Sequence, residues 1–258
     1  AGVLIAALGL AACFFANALS YVAVIAGLLM MRFPVGAQAA RASTGFREGI
    51  LEGYRYIAGE RWARTLILMT ATLSVFGYSF LAMLPVYARD VLHTGAGGYG
   101  GIVASVGVGA AAGALGIAAL GSRVRHVRLA VGAAGAFGIL LAASALAGGF
   151  VSAVLLFVLA GLALTVPGIT ANTLLQRQAP DHLRGRVMGF YSFVALGMAP
   201  FGSLQSGWLS GRFGVRTAFA VGGAACLIAA ASVVWWLRST RMRGRVGGAG
   251  LVADATAP

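Results

Sequence analysis

The sequence predicts an all-α, polytopic membrane protein, and three observations carry the prediction. Of its 258 residues 60% are hydrophobic and only 10% are charged, against about 25% charged in an ordinary soluble domain. Mean hydropathy is +0.90, and a surface with so few ionised groups would leave large apolar patches open to water. The apolar residues also gather into runs of about 20, the length of a helix that crosses a bilayer. Glycine, at 39 residues, is about double its usual share, and membrane helices use it for close packing.

Taken in order, residues 1–8 are apolar but too short to cross, and read as the tail of an earlier helix with a turn near Gly9. Seven full spans follow at 12–31, 66–87, 99–120, 129–147, 151–175, 187–210 and 217–237. The chain therefore divides into residues 1–31, a long loop at 32–65, a six-helix bundle at 66–237 and a tail at 238–258. In the long loop Thr44 can cap a helix in which Phe46, Ile50, Tyr54 and Ile57 recur at helical spacing, with Arg47, Glu48, Glu52 and Arg55 on other faces. Such a helix either lies in the membrane interface or is solvated with an ordinary apolar stripe. The tail alternates Arg, Gly and Ala without periodicity and is expected to be disordered past Arg245.

All 19 basic residues are arginine. They sit in short clusters between apolar runs and form no basic domain, which excludes nucleic acid as a partner. Sixteen fall in one set of alternate connections, Arg32 to Arg64, Arg123 to Arg128, Arg177 to Arg186 and Arg238 to Arg245, and only Arg89, Arg212 and Arg216 in the other. Positive loop charge stays cytoplasmic, so the expected topology is multi-pass with a cytoplasmic C-terminus. The absence of a basic n-region argues against a signal peptide, and the chain reads as a piece that begins inside the membrane. Cys13 and Cys226 lie within apolar runs, far from any second ligand, and read as small core side chains.

Catalysis would need titratable groups gathered in one place. His93, His126 and His182 fall in loops, as do all six carboxylates, so neither an enzyme, a metal site nor a cofactor is expected. The string from Gly107 to Gly113 imitates a dinucleotide fingerprint but lacks the strand and acidic residue that the fingerprint needs. Gly97 with Gly101, Gly109 with Gly113, and Gly207 with Gly211 read instead as four-residue pairs for helix packing.

At membrane depth the polar residues are uncharged. The second span carries Thr70, Ser74 and Tyr78, spaced by four and hence expected on one face, with Phe76 nearby. The fifth carries Thr165, a break at Pro167 and Gly168, then Thr170, Asn172, Thr173 and Gln176, and the sixth adds Tyr191, Ser192, Gln205 and Ser206. A Pro-Gly pair frees backbone groups that are tolerated only against protein or a water-filled cavity. Each of these side chains is either glue between helices or the lining of a pathway.

Four segments resemble a known family: FFANALSYVAVIAGLLMMR (14–32), LPVYARDVLHTGAGGYG (84–100), APDHLRGRVMGFYSF (179–193) and GMAPFGSLQSGWLSGRFG (197–214). The pattern is similar to the second half of a major facilitator superfamily transporter, in the branch of bacterial drug and siderophore exporters typified by the enterobactin exporter. The resemblance implies a C-terminal six-helix bundle plus the preceding helix, about seven transmembrane helices, with residues 66–237 as helices seven to twelve. It implies secondary, proton-motive-force-driven efflux by alternating access in the bacterial cytoplasmic membrane. The partners would be a small-molecule substrate, the lipid bilayer and an N-terminal bundle of the same protein. Helices seven and ten of that fold line the cavity, which makes Thr70, Ser74, Phe76, Tyr78, Thr165, Pro167, Thr170 and Asn172 its candidates here. The loop after the eighth helix usually repeats an acidic-basic gating signature, but residues 121–125 contain no acid. Arg184 and Arg186 could latch that end of the bundle, or serve only as topological charges. A lipid flippase and a non-transporting scaffold or sensor are the alternatives.

Overall fold

A computed structural model describes residues 2–30, 46–121 and 126–244. Among these residues ten α-helices and one π-helical turn follow one another without a strand. The chain divides into two compact units, Ala1–Gly49 and Ile50–Pro258.

The first unit is carried by α1, Gly2–Met30. The helix runs through Gly9, so the expected turn there is absent. Without water to satisfy a broken backbone, an apolar segment keeps its hydrogen bonds inside the helix. Within this unit the residues from Phe14 to Met30 are exposed.

Helix α2, Phe46–Gly59, enters the second unit at Ile50, and α3, Arg61–Thr72, follows. The π-helical turn Leu73–Gly77 and α4, Phe80–Asp90, complete one crossing that starts at Arg61, earlier than the apolar run alone predicts. Then come α5, Ala96–Leu120, α6, His126–Ser144, and α7, Phe150–Gln178. Helices α8, Arg184–Gly197, and α9, Ala199–Phe213, share one span and are separated at Met198, just before Pro200 removes a backbone donor. The last helix, α10, is Val215–Gly244. Its final turns take in residues 238–244, which the sequence assigned to a tail, while residues 245–258 lie outside the described part.

Six of these segments are long and apolar enough to cross a membrane, preceded by the shorter apolar stretch Phe14–Met30. Inside the bundle α7 packs against α3, α5, α6 and α8, and α10 against α3, α4, α6 and α9. The α5–α7 seam is built from glycine. A Cβ on Gly113 would meet the Leu162 carbonyl oxygen at 2.8 Å, and one on Gly109 or Gly161 would run into the backbone of Val158 or Val106. The α6–α10 seam repeats the device with Gly138 facing Gly223. Backbones can approach that closely only where no side chain intervenes. Gly101 meets only the Phe150 ring, and nothing lies within 4 Å of a Cβ on Gly97, Gly207 or Gly211. The packing role expected of those three has no counterpart among the described residues.

Between the seams, the rings of Phe80, Tyr87, Phe137, Phe157 and Phe219 are fully buried and pack with centroids 5.0 to 6.3 Å apart. The Tyr87 hydroxyl donates to the Ser144 carbonyl oxygen at 2.6 Å, which satisfies the one polar atom in this aromatic core.

Candidate functional site

The first crossing shows how local backbone geometry builds a site. In an uninterrupted α-helix Ser74 and Tyr78 would share a face. Here the Tyr78 amide donates to the Leu73 carbonyl oxygen at 2.7 Å, five residues back, and this wider turn inserts one residue into the register. The two side chains therefore part company. Ser74 is 1% exposed and donates to the Ala195 carbonyl oxygen on α8 at 2.7 Å, whereas Tyr78 is 41% exposed. Of the expected three-residue face, Ser74 is glue, Tyr78 looks outward and Thr70 is half-buried.

Helix α7 supplies the opposite wall. It continues through Pro167 and Gly168 without the break that the sequence suggests. Proline cannot donate to the carbonyl one turn back, but its ring is fully buried against protein, where a bilayer helix tolerates it. Thr165, Gly168, Ile169, Asn172 and Thr173 recur at helical spacing along one stripe. With Tyr78 and Tyr191 of α8 they line a cavity of about 390 Å³.

The polar atoms of this cavity are few and oriented. A Cβ on Gly168 would sit 3.6 Å from the Tyr78 hydroxyl, an ordinary contact distance, so the phenol lies directly against α7. The Tyr191 hydroxyl donates to the Gly168 carbonyl oxygen at 3.2 Å, and the Asn172 side chain lies beside it. Asn172 accepts a hydrogen bond from the Gln176 amide at 2.7 Å, which leaves its own NH₂ group as the donor on the Tyr191 side. Thr165 donates back to Gly161 at 2.9 Å and shows the cavity mainly its methyl group. The lining contains no charged side chain. Such a surface can hold a partly apolar molecule by ring contacts and orient it with a few hydrogen bonds.

Of the residues expected at a cavity, the structure brings together Tyr78, Thr165 and Asn172. Phe76 is half-buried and Pro167 is fully buried, and neither lines the space. Thr170 is 3% exposed, and its hydroxyl finds no partner among the described residues. Tyr191 and Thr173 join the site although the sequence marked them only as polar residues at membrane depth. What selects Tyr191 is its crossing from α8 to Gly168, a tertiary contact without a local signal.

At one end of the bundle a second cluster ties α2 down. Glu52 pairs with Arg186 at the start of α8. A Cβ on Gly53 would meet the Arg186 carbonyl oxygen at 3.0 Å, and Tyr54 packs on Phe190 with centroids 6.0 Å apart. Ile57 is buried, and the Tyr56 hydroxyl reaches the Gln178 carbonyl oxygen at 3.4 Å. Burial and then the charge of Glu60 push that phenol up, so it remains a neutral donor. The amphipathic helix, read as either interfacial or solvated, thus packs on protein at Glu52, Gly53, Tyr54, Tyr56 and Ile57. Its apolar stripe is the same in either case, and periodicity does not say what covers it. Arg184 pairs with Asp181 at 2.7 Å within its own turn. Thr44, with most of the long loop, and residues 122–125 of the expected gating loop lie outside the described residues.

A family model for transmembrane secretion effectors, of the major facilitator type, matches residues 1–244. The chain belongs to the transmembrane secretion effector family. No curated protein and no solved structure matches it. Membership together with six apolar crossings makes this secretion-effector chain a multi-pass membrane protein and a transporter. The family implies a non-enzymatic role, and within it the uncharged cavity between the π-helical turn, α7 and α8 is the candidate transport site.

Proposed function

We propose that this transporter exports a drug-like or siderophore-like small molecule by alternating access, driven by proton motive force. In this reading the six-span bundle rocks against a second bundle of the same protein in a bacterial cytoplasmic membrane, with its C-terminus in the cytoplasm. The supporting observation is the cavity at Tyr78, Asn172 and Tyr191, where an irregular helix meets a proline-containing one, an arrangement that transporters use near the bilayer midplane. Its uncharged lining favours a bulky, partly apolar and neutral substrate. Asp90, at the very end of the first crossing, is the only carboxylate in the six spans. The proton-binding group of this scheme accordingly sits on the second bundle. The Glu52–Arg186 pair then serves as a latch that fixes α2 to the start of α8.

The test is uptake of a panel of fluorescent neutral compounds by inside-out vesicles containing the intact protein. Accumulation that collapses with a protonophore is expected. Tyr78→Phe and Asn172→Ala should each raise KM by about five-fold, the value of one hydrogen bond of about 1 kcal/mol, and leave the protein in the membrane. Accumulation indifferent to the protonophore would refute energy coupling. Unchanged transport in the double variant would refute the site, and movement of labelled lysolipids without export of the panel would make the protein a flippase.

A further inference from the structure

A second recess lies away from the transport cavity, between α3 and α10. It has a volume of about 340 Å³ and runs from Arg64 to Thr72 on α3 beside Ala229 to Trp236 on α10. Eight residues of helix make it about 12 Å long. Successive crossings alternate in direction, so α10 ends where α3 begins. Arg64 and the paired Trp235 and Trp236 therefore share one mouth, and Thr72 and Ala229 form the far end.

The walls of this groove are more apolar than their composition suggests. Leu68, Met69 and Val233 supply hydrocarbon, and Leu68 and Trp235 are more than half exposed. Its three hydroxyls are spent on their own helices: Thr65 donates to Arg61 at 2.9 Å, Thr72 to Leu68 at 3.0 Å and Ser232 to Ala229 at 2.8 Å. Each carbonyl belongs to the preceding turn, so no donor is left directed at the space between the helices. Among the described residues lining the mouth, the charge is the guanidinium of Arg64, whose Nη1 donates to the Ala58 carbonyl oxygen at 3.3 Å. That bond anchors one side of the fork at the α2–α3 corner and leaves further N–H donors to an incoming group. Tryptophan beside the cation suits the depth of lipid headgroups.

We propose that the α3–α10 groove binds one anionic phospholipid, with an acyl chain along Leu68, Met69 and Val233 and the headgroup phosphate on Arg64. The complementarity runs along the whole recess: a mostly apolar groove, Arg64 at its interfacial end, and Trp235 and Trp236 beside that cation. Below Arg64 a polar solute would find hydroxyl oxygens as acceptors and no hydroxyl donor. A zwitterionic lipid would bring its own cation to the same mouth and gain less from the guanidinium.

The intact protein in nanodiscs, with Trp62→Phe and Trp208→Phe in the background, reports occupancy through quenching of Trp235 and Trp236 by brominated lipid. Brominated phosphatidylglycerol should quench at about five-fold lower mole fraction than brominated phosphatidylcholine, as one interfacial arginine is worth about 1 kcal/mol. Arg64→Gln should abolish that preference and leave the phosphatidylcholine curve in place. Arg61→Gln, on the same helix but outside the groove, should preserve it. Ser232→Leu, which fills the channel and keeps Arg64, should weaken quenching by both lipids. Equal quenching by the two lipids in the parent protein would overturn the proposal. So would equal loss in the Arg61 and Arg64 variants, which would mean a general surface potential, or a preference that survives Arg64→Gln.

Discussion

Tyr78 and Tyr87 lie two turns and a half apart on one crossing and have opposite fates, which shows how little a residue type says about its role. Tyr87 is fully buried, its ring stacked on Phe219 at 5.0 Å and its hydroxyl bonded to the Ser144 carbonyl. Tyr78 stands at the mouth of a cavity. Tyr87→Phe keeps the ring contacts and removes only the donor, leaving the Ser144 carbonyl oxygen with the Ala147 amide at 3.3 Å as its remaining partner. It should cost about 1–2 kcal/mol, read as earlier thermal unfolding in detergent, with transport KM unchanged. Tyr78→Phe should do the reverse. At this scale the sequence pointed to Tyr78, Thr165 and Asn172 because hydroxyls and amides are rare at membrane depth. It could not separate them from Ser74, since a one-residue π insertion leaves no mark in a four-residue spacing. Nor could it single out Tyr191, whose role depends on a glycine carbonyl 23 residues earlier in the chain.

Among the helices the glycine seams decide which pieces move together. Where α5 meets α7, Gly109, Gly113 and Gly161 put backbone against backbone. Gly161→Val should force the helices apart and cost about 3 kcal/mol, the upper part of the range for overpacking. Gly207→Val, whose new side chain meets nothing within 4 Å, should be close to neutral. Steric trapping of the two variants in lipid would give the comparison directly, and equal losses would contradict the seam. The spans themselves were legible because apolar length is a direct physical requirement of the bilayer. Their irregularities were not: the proline at position 167 sits inside a continuous helix, whereas the interruption at Met198 follows from Pro200 in the next helix. Amphipathic periodicity marked α2 along the chain and left open what covers its stripe, since protein and lipid satisfy the same pattern.

For the molecule as a whole, charge distribution carries the orientation. Arg61, Arg128, Arg177 and Arg184 all lie at the ends of crossings that meet on one side of the bundle, and Arg89, Arg212 and Arg216 at the other. Reporter fusions after Gly244 should be fluorescent as a cytoplasmic reporter and silent as a periplasmic enzyme, with the opposite result for a fusion at residue 93. A periplasmic signal at the C-terminus would reverse the topology. Membership of a major facilitator-type family was legible from motif strings, while substrate and energy coupling leave no comparable mark in apolar length or charge.

The aromatic core has a consequence for traffic. Five interlocked rings fill the middle of the bundle, and no solute can pass down its axis without dismantling the contacts that hold four helices together. On the proposed function, a molecule handled by Tyr78 and Asn172 travels across the face of the bundle, as along a wall, and the channel it needs is completed by the surface that stands opposite. Selectivity is then a property of two surfaces, and mutations on this one alter how a solute is gripped more readily than whether a route exists.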